Sequence, residues 1–593
     1  MIRTTNNRLL RAALASLLLL GMACATSSPQ PVTKIVGNRI VVTRAVNPYA
    51  YEHAARALLY ENEERWEDAA EQLREALAYD KQAPELHARL ADVLIHLDRL
   101  DKAETEILVS LDIEPTVPGL MARAHLFLAR GEARAAAVTL TEAVALCDAV
   151  DEPEQFAAAH LELAEVQLMA LDLDAATDAL LALRTSAPDH EEGLYRLAAV
   201  YWASGDTDHA LQTLDDLLKV SPYFLEAHLL RVALLTALDR SDAANAGLSA
   251  ALSRSEDDLQ VATVYADWLM DRGQRDKAVE LVERLSPTEM DQGTVVSRME
   301  LERTAGRPEK SLALAKAALA TSPEPELLAR VRIAEASALD ALKRTTDAIA
   351  TLLQIPEDSP RFLDSRLAAA ELHNKEGNLD GARQLLQQLA AHAESDDIRT
   401  RIAIIQAMVE EKTAPATALA TLDKIPGANA NDAEVLMARA AIVERSGNWQ
   451  EALKLAERVL RNDPSSFEAL NFSGFIAADH KQNLPQAEQR CRAAMALNPG
   501  SAAIADSVGW ARFQAGDLPG AGIVLRQAAR LDPKEPELQG HLAALLEKEG
   551  KVQEAVLTLQ NALKLDAEPF VQSRLKKELE RLQALPPTPG NAP

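Results

Sequence analysis

Residues 463–533 lay down one unit twice, and that duplication limits what the whole chain can fold into. Each copy has a first apolar-periodic segment with a glycine at its centre, Gly474 and then Gly509. A polar turn follows, and then a second segment that opens on an alanine, Ala487 and then Ala521. An apolar residue stands four positions on (Cys491, Leu525), a small residue seven on (Ala494, Ala528) and a proline twelve on (Pro499, Pro533). Spacings of three and four put side chains on one helix face, so the small residues line up as a seam where two helices can approach closely. The proline ends the second helix, because it fixes its own φ and disfavours helix in the residue before it.

This order of small, small, apolar, small and proline resembles the tetratricopeptide repeat, a helix–turn–helix unit with a period of about 34 residues. The small residue that opens the second helix recurs at Ala69, Ala103, Ala136, Ala176, Ala210, Ala244, Ala278, Ser311, Ala348, Ala382, Ala418, Ala452, Ala487, Ala521 and Ala555. That register predicts about fifteen units over residues 48–569, each touching only its neighbours around one connected core. The resemblance implies an all-α solenoid, a right-handed superhelix of antiparallel helix pairs. Composition agrees: 48% hydrophobic with only 4% aromatic content suits long helices better than a sheet core. Trp66 and Trp449, each three before a marker, are read as packing residues. The register slips at an acidic insert, 147–154, and by a few residues before Ala348 and before Ala418. The middle units, with Met299 and Ser311 in place of small apolar residues, are expected to be the least regular.

Arg3, Arg8 and Arg11 precede an apolar run, 12–23, too short to span a bilayer. The run ends in Leu20-Gly21-Met22-Ala23-Cys24 and resembles a bacterial lipoprotein signal, with Gly21 departing from the usual Leu. The resemblance implies a leader over 1–23, acylation of Cys24 and, with Ala25 rather than Asp next, a lipid anchor in the outer membrane facing the periplasm. Ordinary cleavage after Ala25 is the alternative, since Ala23-Cys24-Ala25 is itself an A-x-A site. Residues 24–47 read as a linker in which Lys34-Ile35-Val36 and Arg39-Ile40-Val41-Val42 flank the hairpin turn pair Gly37-Asn38. Residues 570–585 read as an amphipathic capping helix, and 586–593 as a disordered tail.

A net charge of −27 repels nucleic acid and anionic surfaces, and fits either solubility or a basic partner. No HExxH, GxSxG, P-loop, GxGxxG or CxxC pattern occurs, so neither catalytic residues nor a metal or cofactor is expected. His87 and His96, nine apart, miss the spacing of a two-ligand helix face. Cys491 holds an apolar marker position and is read as core, and no disulfide with Cys147 is expected.

What remains is a binding surface. The resemblance implies that first helices line a concave groove, with the residues one and four places after the central small residue facing it. That gives Phe475, Trp510 and Phe513. Asn471 and Asp506 share their face and complete a patch with an apolar centre and a polar rim. Tyr195 and Trp202 take the same part in an earlier unit. In a chain poor in aromatics such residues are candidate anchors; packing against the neighbouring helix is the alternative for each.

The last three units, with 468–475 (EALNFSGF), Asp506-Ser507-Val508-Gly509-Trp510 and His541-Leu542, resemble the C-terminal block of outer-membrane tetratricopeptide lipoproteins of Gram-negative bacteria. Ser473 and Ala543 depart from it, where Gly is usual. That group includes adaptors that hold a periplasmic carboxy-terminal processing protease and feed it substrates. The implied role is a non-enzymatic scaffold or adaptor that binds proteins. The alternative is a structural scaffold of an envelope assembly or export machine, such as polysaccharide export or pilus assembly.

Overall fold

The computed structural model describes residues 31–585 apart from 37–38, 45–46, 148, 150–151, 286–293, 392, 394, 426–431 and 566–568. The leader, Cys24 and the tail from 586 therefore lie outside the described residues, as does part of the acidic insert. Contacts divide the chain into two compact units, Met1–Val166 and Gln167–Pro593.

Strands β1 (Pro31–Val36) and β2 (Arg39–Arg44) pair antiparallel, with Val36 opposite Arg39; the expected turn pair, Gly37-Asn38, lies outside the described residues. Thirty-one helices follow among the described residues, from α1 (Pro48–Asn62) to α31 (Pro569–Gln583). In chain order the first thirty alternate as the first, odd-numbered, and second, even-numbered, helices of fifteen repeats. None of the described helices is long and apolar enough to cross a membrane.

The seam is as the spacing requires. All fifteen marker residues, Ser311 included, are 0 or 1% exposed. A Cβ added to Gly474 would stand 2.6 Å from Cys491 Sγ and 2.8 Å from the Ala487 carbonyl oxygen, and one added to Gly509 would meet Leu525 at 2.8 Å. The helices therefore touch backbone to side chain, and only glycine fits. Five residues before the marker the chain turns through the left-handed region in thirteen of the fifteen pairs, with φ between 54 and 88°. Eight of these positions are glycine, and the other five are Glu64, Asp98, Leu171, Asp239 and Lys343. Side chains cap the helix starts, as where Asp517 accepts from the Gly520 amide at 3.0 Å. The two packing tryptophans each stack on a histidine of the next pair, Trp66 on His96 at 4.0 Å and Trp449 on His480 at 4.5 Å.

Extra residues before Ala348 and Ala418 lengthen first helices: α17 (Pro325–Ala341) has 17 residues and α21 (Asp396–Glu411) has 16. The middle second helices are cut short instead, with α14 (Arg275–Arg284), α18 (Thr345–Leu352) and α22 (Pro415–Leu422) at 10, 8 and 8 residues. At the chain's end, Leu575 and Leu582 of α31 pack on Leu546, Leu559 and Ala562, closing the last seam as a cap.

Within Gln167–Pro593 the stack is not limited to neighbours. Helices α9 (Glu191–Ser204) and α11 (Leu225–Ala237) also pack on α26 (Leu484–Leu497) and α28 (Leu518–Leu531), respectively. Arg492 Nε donates to the Ala203 carbonyl at 3.0 Å, and Arg530 Nη1 to the Ala237 carbonyl at 3.1 Å. Both carbonyls lie in the last turn of a helix, where acceptors lack intrahelical partners and the dipole is negative. This corrects the expectation that each unit meets only the next.

Candidate binding cleft

The first helices of the last three pairs are α25 (Phe467–Asp479), α27 (Ala502–Ala515) and α29 (Pro536–Lys548), packed in succession. Between them, edged by Met437 of α23 (Ala433–Arg445), lies a cleft of about 390 Å³. Its apolar walls include Phe472, Phe475, Ile504 and Leu538; its polar groups include Asn471, Asp506 and His541. Asn471 and Asp506 each stand three residues before a central glycine, so the repeat itself carries both into the same cleft.

Asp506 is 4% exposed and His541 7%. A carboxylate only accepts, so His541 Nδ1–H donates to Asp506 Oδ2, at 2.6 Å. The second oxygen, Oδ1, is buried with no hydrogen-bond partner among the described residues, and so is Asn471 Oδ1. Beside the cleft, burial pushes the Glu444 carboxyl above its ordinary value, and the charges of Asp479 and Glu537 add to that.

An aromatic column stands behind the polar pair. The His541 ring stacks on Trp510 at 4.2 Å and 19°, and Trp510 stacks on Phe513 at 5.0 Å and 13°. Phe475 tilts against His541 at 5.9 Å. Trp510 Nε1 donates to Asp479 Oδ1 at 3.0 Å, which ties α27 to the end of α25. Phe513 packs onto the core formed by Ala521, Leu525 and Leu545.

Two stretches of the sequence, 62–126 and 435–502, match family models described as tetratricopeptide repeat. The chain carries tetratricopeptide repeats. The second match includes Met437, Asn471 and Phe475 of the cleft. A TPR repeat-containing protein of Pseudomonas aeruginosa is 28% identical over 186 residues, 30% of each chain, so the match spans less than a third of that relative's length. Among solved structures, a thermophilic TPR protein of Thermus thermophilus aligns at 19% identity over 32% of this chain and 100% of its own, with a TM-score of 0.28. A chain of an APC/C hetero-tetramer aligns at 15% identity over 91% of this chain and 97% of its own, with a TM-score of 0.30.

The repeats bring three of the expected groove residues, Asn471, Phe475 and Asp506, to one cleft. Trp510 and Phe513 do not line it; half-buried, they stack on His541 and on each other. Tyr195 and Trp202, both on α9, lie apart from it. Tyr195 tilts against Phe224 at 5.7 Å, and burial pushes its phenol above the ordinary value. Trp202 is corrected outright: at 2% exposure it offers no face to a partner. The end of α9 is covered through Arg492, which bonds the carbonyl next to Trp202 from 289 residues away. His541 entered the sequence reading only through a family likeness. Its signal was its place one first helix beyond Asp506, 35 residues on.

Proposed function

We propose that this chain is a protein-binding scaffold of the bacterial cell envelope, holding a polypeptide segment across the first helices of its last three repeats. The observation that carries this is the open cleft whose buried walls hold acceptors left unpartnered, Asp506 Oδ1 and Asn471 Oδ1, among aromatic side chains. Sites of this kind, apolar with a few convergent polar groups, bind ligands. The leader sequence supports anchoring through an acylated Cys24, and the likeness of the C-terminal block supports an adaptor that brings clients to a periplasmic protease.

Photo-crosslinking from Phe475 in living cells, followed by identification of the trapped proteins, tests the reading. A protease and its clients would support the adaptor; components of an assembly or export machine would favour the structural scaffold. Trapping no protein above the level seen from an exposed position elsewhere would sink both. The anchor has its own test. Cys24→Ser should shift the protein from the membrane fraction to the soluble one or leave the leader uncleaved, and unchanged membrane retention with normal processing would contradict acylation.

A further inference from the structure

The cleft has a charge preference that the scaffold role alone does not require. Asp506 is almost wholly buried, yet only one carboxylate oxygen is used, by His541. The free oxygen and the free Asn471 Oδ1 belong to side chains that line the same cleft. Buried acceptors in folded proteins are nearly always paired, and a charged one left alone is the costlier case. Glu468 and Glu537 also line the cleft, Glu537 paired with Arg574 at 2.6 Å, and no lysine or arginine is among the described lining residues. The buried part of the site is therefore rich in acceptors and its described lining carries no lysine or arginine, within a chain whose net charge of −27 favours basic partners.

We infer that the cleft receives the cationic end of a lysine or arginine side chain from an extended segment of a partner protein. The alkyl stem lies against Phe472 and Phe475, and the donors reach Asp506 Oδ1 and Asn471 Oδ1. The apolar walls account for the stem: long basic side chains bury their methylenes along apolar surface and keep the charge for a polar end. A guanidinium or ammonium supplies donors only, which is what two vacant acceptors need, and charge-assisted bonds of this kind are the strong ones. His541 holds the other Asp506 oxygen, and Trp510 stacks on His541, so the carboxylate is oriented before the cation arrives. The inference rests on reading the cleft as a polypeptide site.

Selection from a positional-scanning library of short peptides on the immobilised full chain tests it. The retained pool should be enriched about tenfold or more in lysine or arginine at one position beside an apolar residue. Asp506→Asn, which keeps an acceptor for His541 but removes the charge, should abolish that enrichment. Replacing the selected arginine by citrulline should weaken binding by a similar factor with the protein untouched, so a folding defect in the variant cannot mimic the result. Equal binding of the citrulline peptide, or enrichment that survives Asp506→Asn in a folded variant, overturns the assignment. Retention of neutral or acidic peptides alone would also overturn it while leaving the scaffold reading intact. Failure to retain any peptide would count against both, and the crosslinking from Phe475 would then show whether a whole protein still docks there.

Discussion

One methyl group separates Gly474 from a clash that cannot relax cheaply, because the nearest atoms include the Ala487 backbone oxygen at 2.8 Å. Gly474→Ala should destabilise its pair by about 1–2 kcal/mol, an overpacking cost that outweighs the roughly 1 kcal/mol helix preference of alanine. Gly247 is the contrast. A Cβ there would meet only side-chain atoms, Val232 Cγ2 at 3.3 Å and an Arg231 guanidinium nitrogen at 3.5 Å, so Gly247→Ala should be neutral or gain up to about 1 kcal/mol. Thermal melts of the two variants should move in opposite directions; a shared direction would mean that the seam at Gly474 is looser than its distances. His125 makes a second prediction at this scale. It lies between two carboxylates, with Asp92 Oδ1 2.8 Å from Nδ1 and Glu162 Oε1 2.7 Å from Nε2. Burial alone would lower its pKa, but the bonds to Asp92 and Glu162 prevail and raise it to about 10. A histidine raised in the folded state stabilises fully below its unfolded value near 6.5, and that contribution fades as pH climbs to about 10. The stability advantage of the natural chain over His125→Gln should therefore be constant below about pH 6 and shrink between about pH 6.5 and 10. A pH-independent difference would show that the imidazole is not held as the cation.

Among the elements, α15 (Val295–Thr304) departs from the repeat with buried charge. Glu302, 4% exposed, forms ion pairs with Arg298 at 3.1 Å and Arg307 at 3.0 Å, and these are 5 and 9% exposed. Removing one member of such a set strands the others, whereas replacing all of it by apolar groups need not destabilise. Glu302→Leu should cost about 3 kcal/mol or more, read as lost hydrogen-exchange protection in α15 and in its partner α16 (Pro308–Ala320). A combined Arg298→Met, Glu302→Leu, Arg307→Met chain should recover most of it; equal loss in both would point to volume rather than charge. The irregularity of these middle units was legible in Met299 and Ser311, but its form was not. Periodicity locates an interruption without showing that residues shift from second helices into first ones. The fifteen seam positions were legible because each is set within about 34 residues by helix geometry alone. The left-handed turn five residues before each marker was blurred, since Glu64, Asp98, Leu171, Asp239 and Lys343 hide it at five of its thirteen occurrences. Asn471, Phe475 and Asp506 were legible for the same local reason. Trp202 was not, because its burial accompanies a contact from the far end of the chain.

At the scale of the molecule, the contacts of α9 and α11 with α26 and α28 alter how Gln167–Pro593 should respond to damage. A stack whose repeats meet only neighbours loses stability near the site of injury. Here Arg492 and Arg530 each bond a first-helix carbonyl about 290 residues earlier, and Lys534 Nζ stands 2.5 Å from Asp271 Oδ1. Burial lowers the pKa of the Arg492 guanidinium, the expected sign for a cation withdrawn from water and held largely by a backbone oxygen. These arginines lie on the second helices directly following α25 and α27, two of the helices that build the cleft, so the contact fixes the pairs that present the binding surface. Replacing both by alanine should leave helix content unchanged and cost about 2 kcal/mol, discounted for the partial exposure of Arg530. Hydrogen-exchange protection should fall in α9 and α11 as well as in α26 and α28, although nothing in the first two has been altered. If protection falls only in α26 and α28, the two arginines act within their own pairs and the unit behaves as an ordinary linear stack. If it falls in all four while crosslinking from Phe475 also weakens, the long-range contact is what holds the cleft in its binding form.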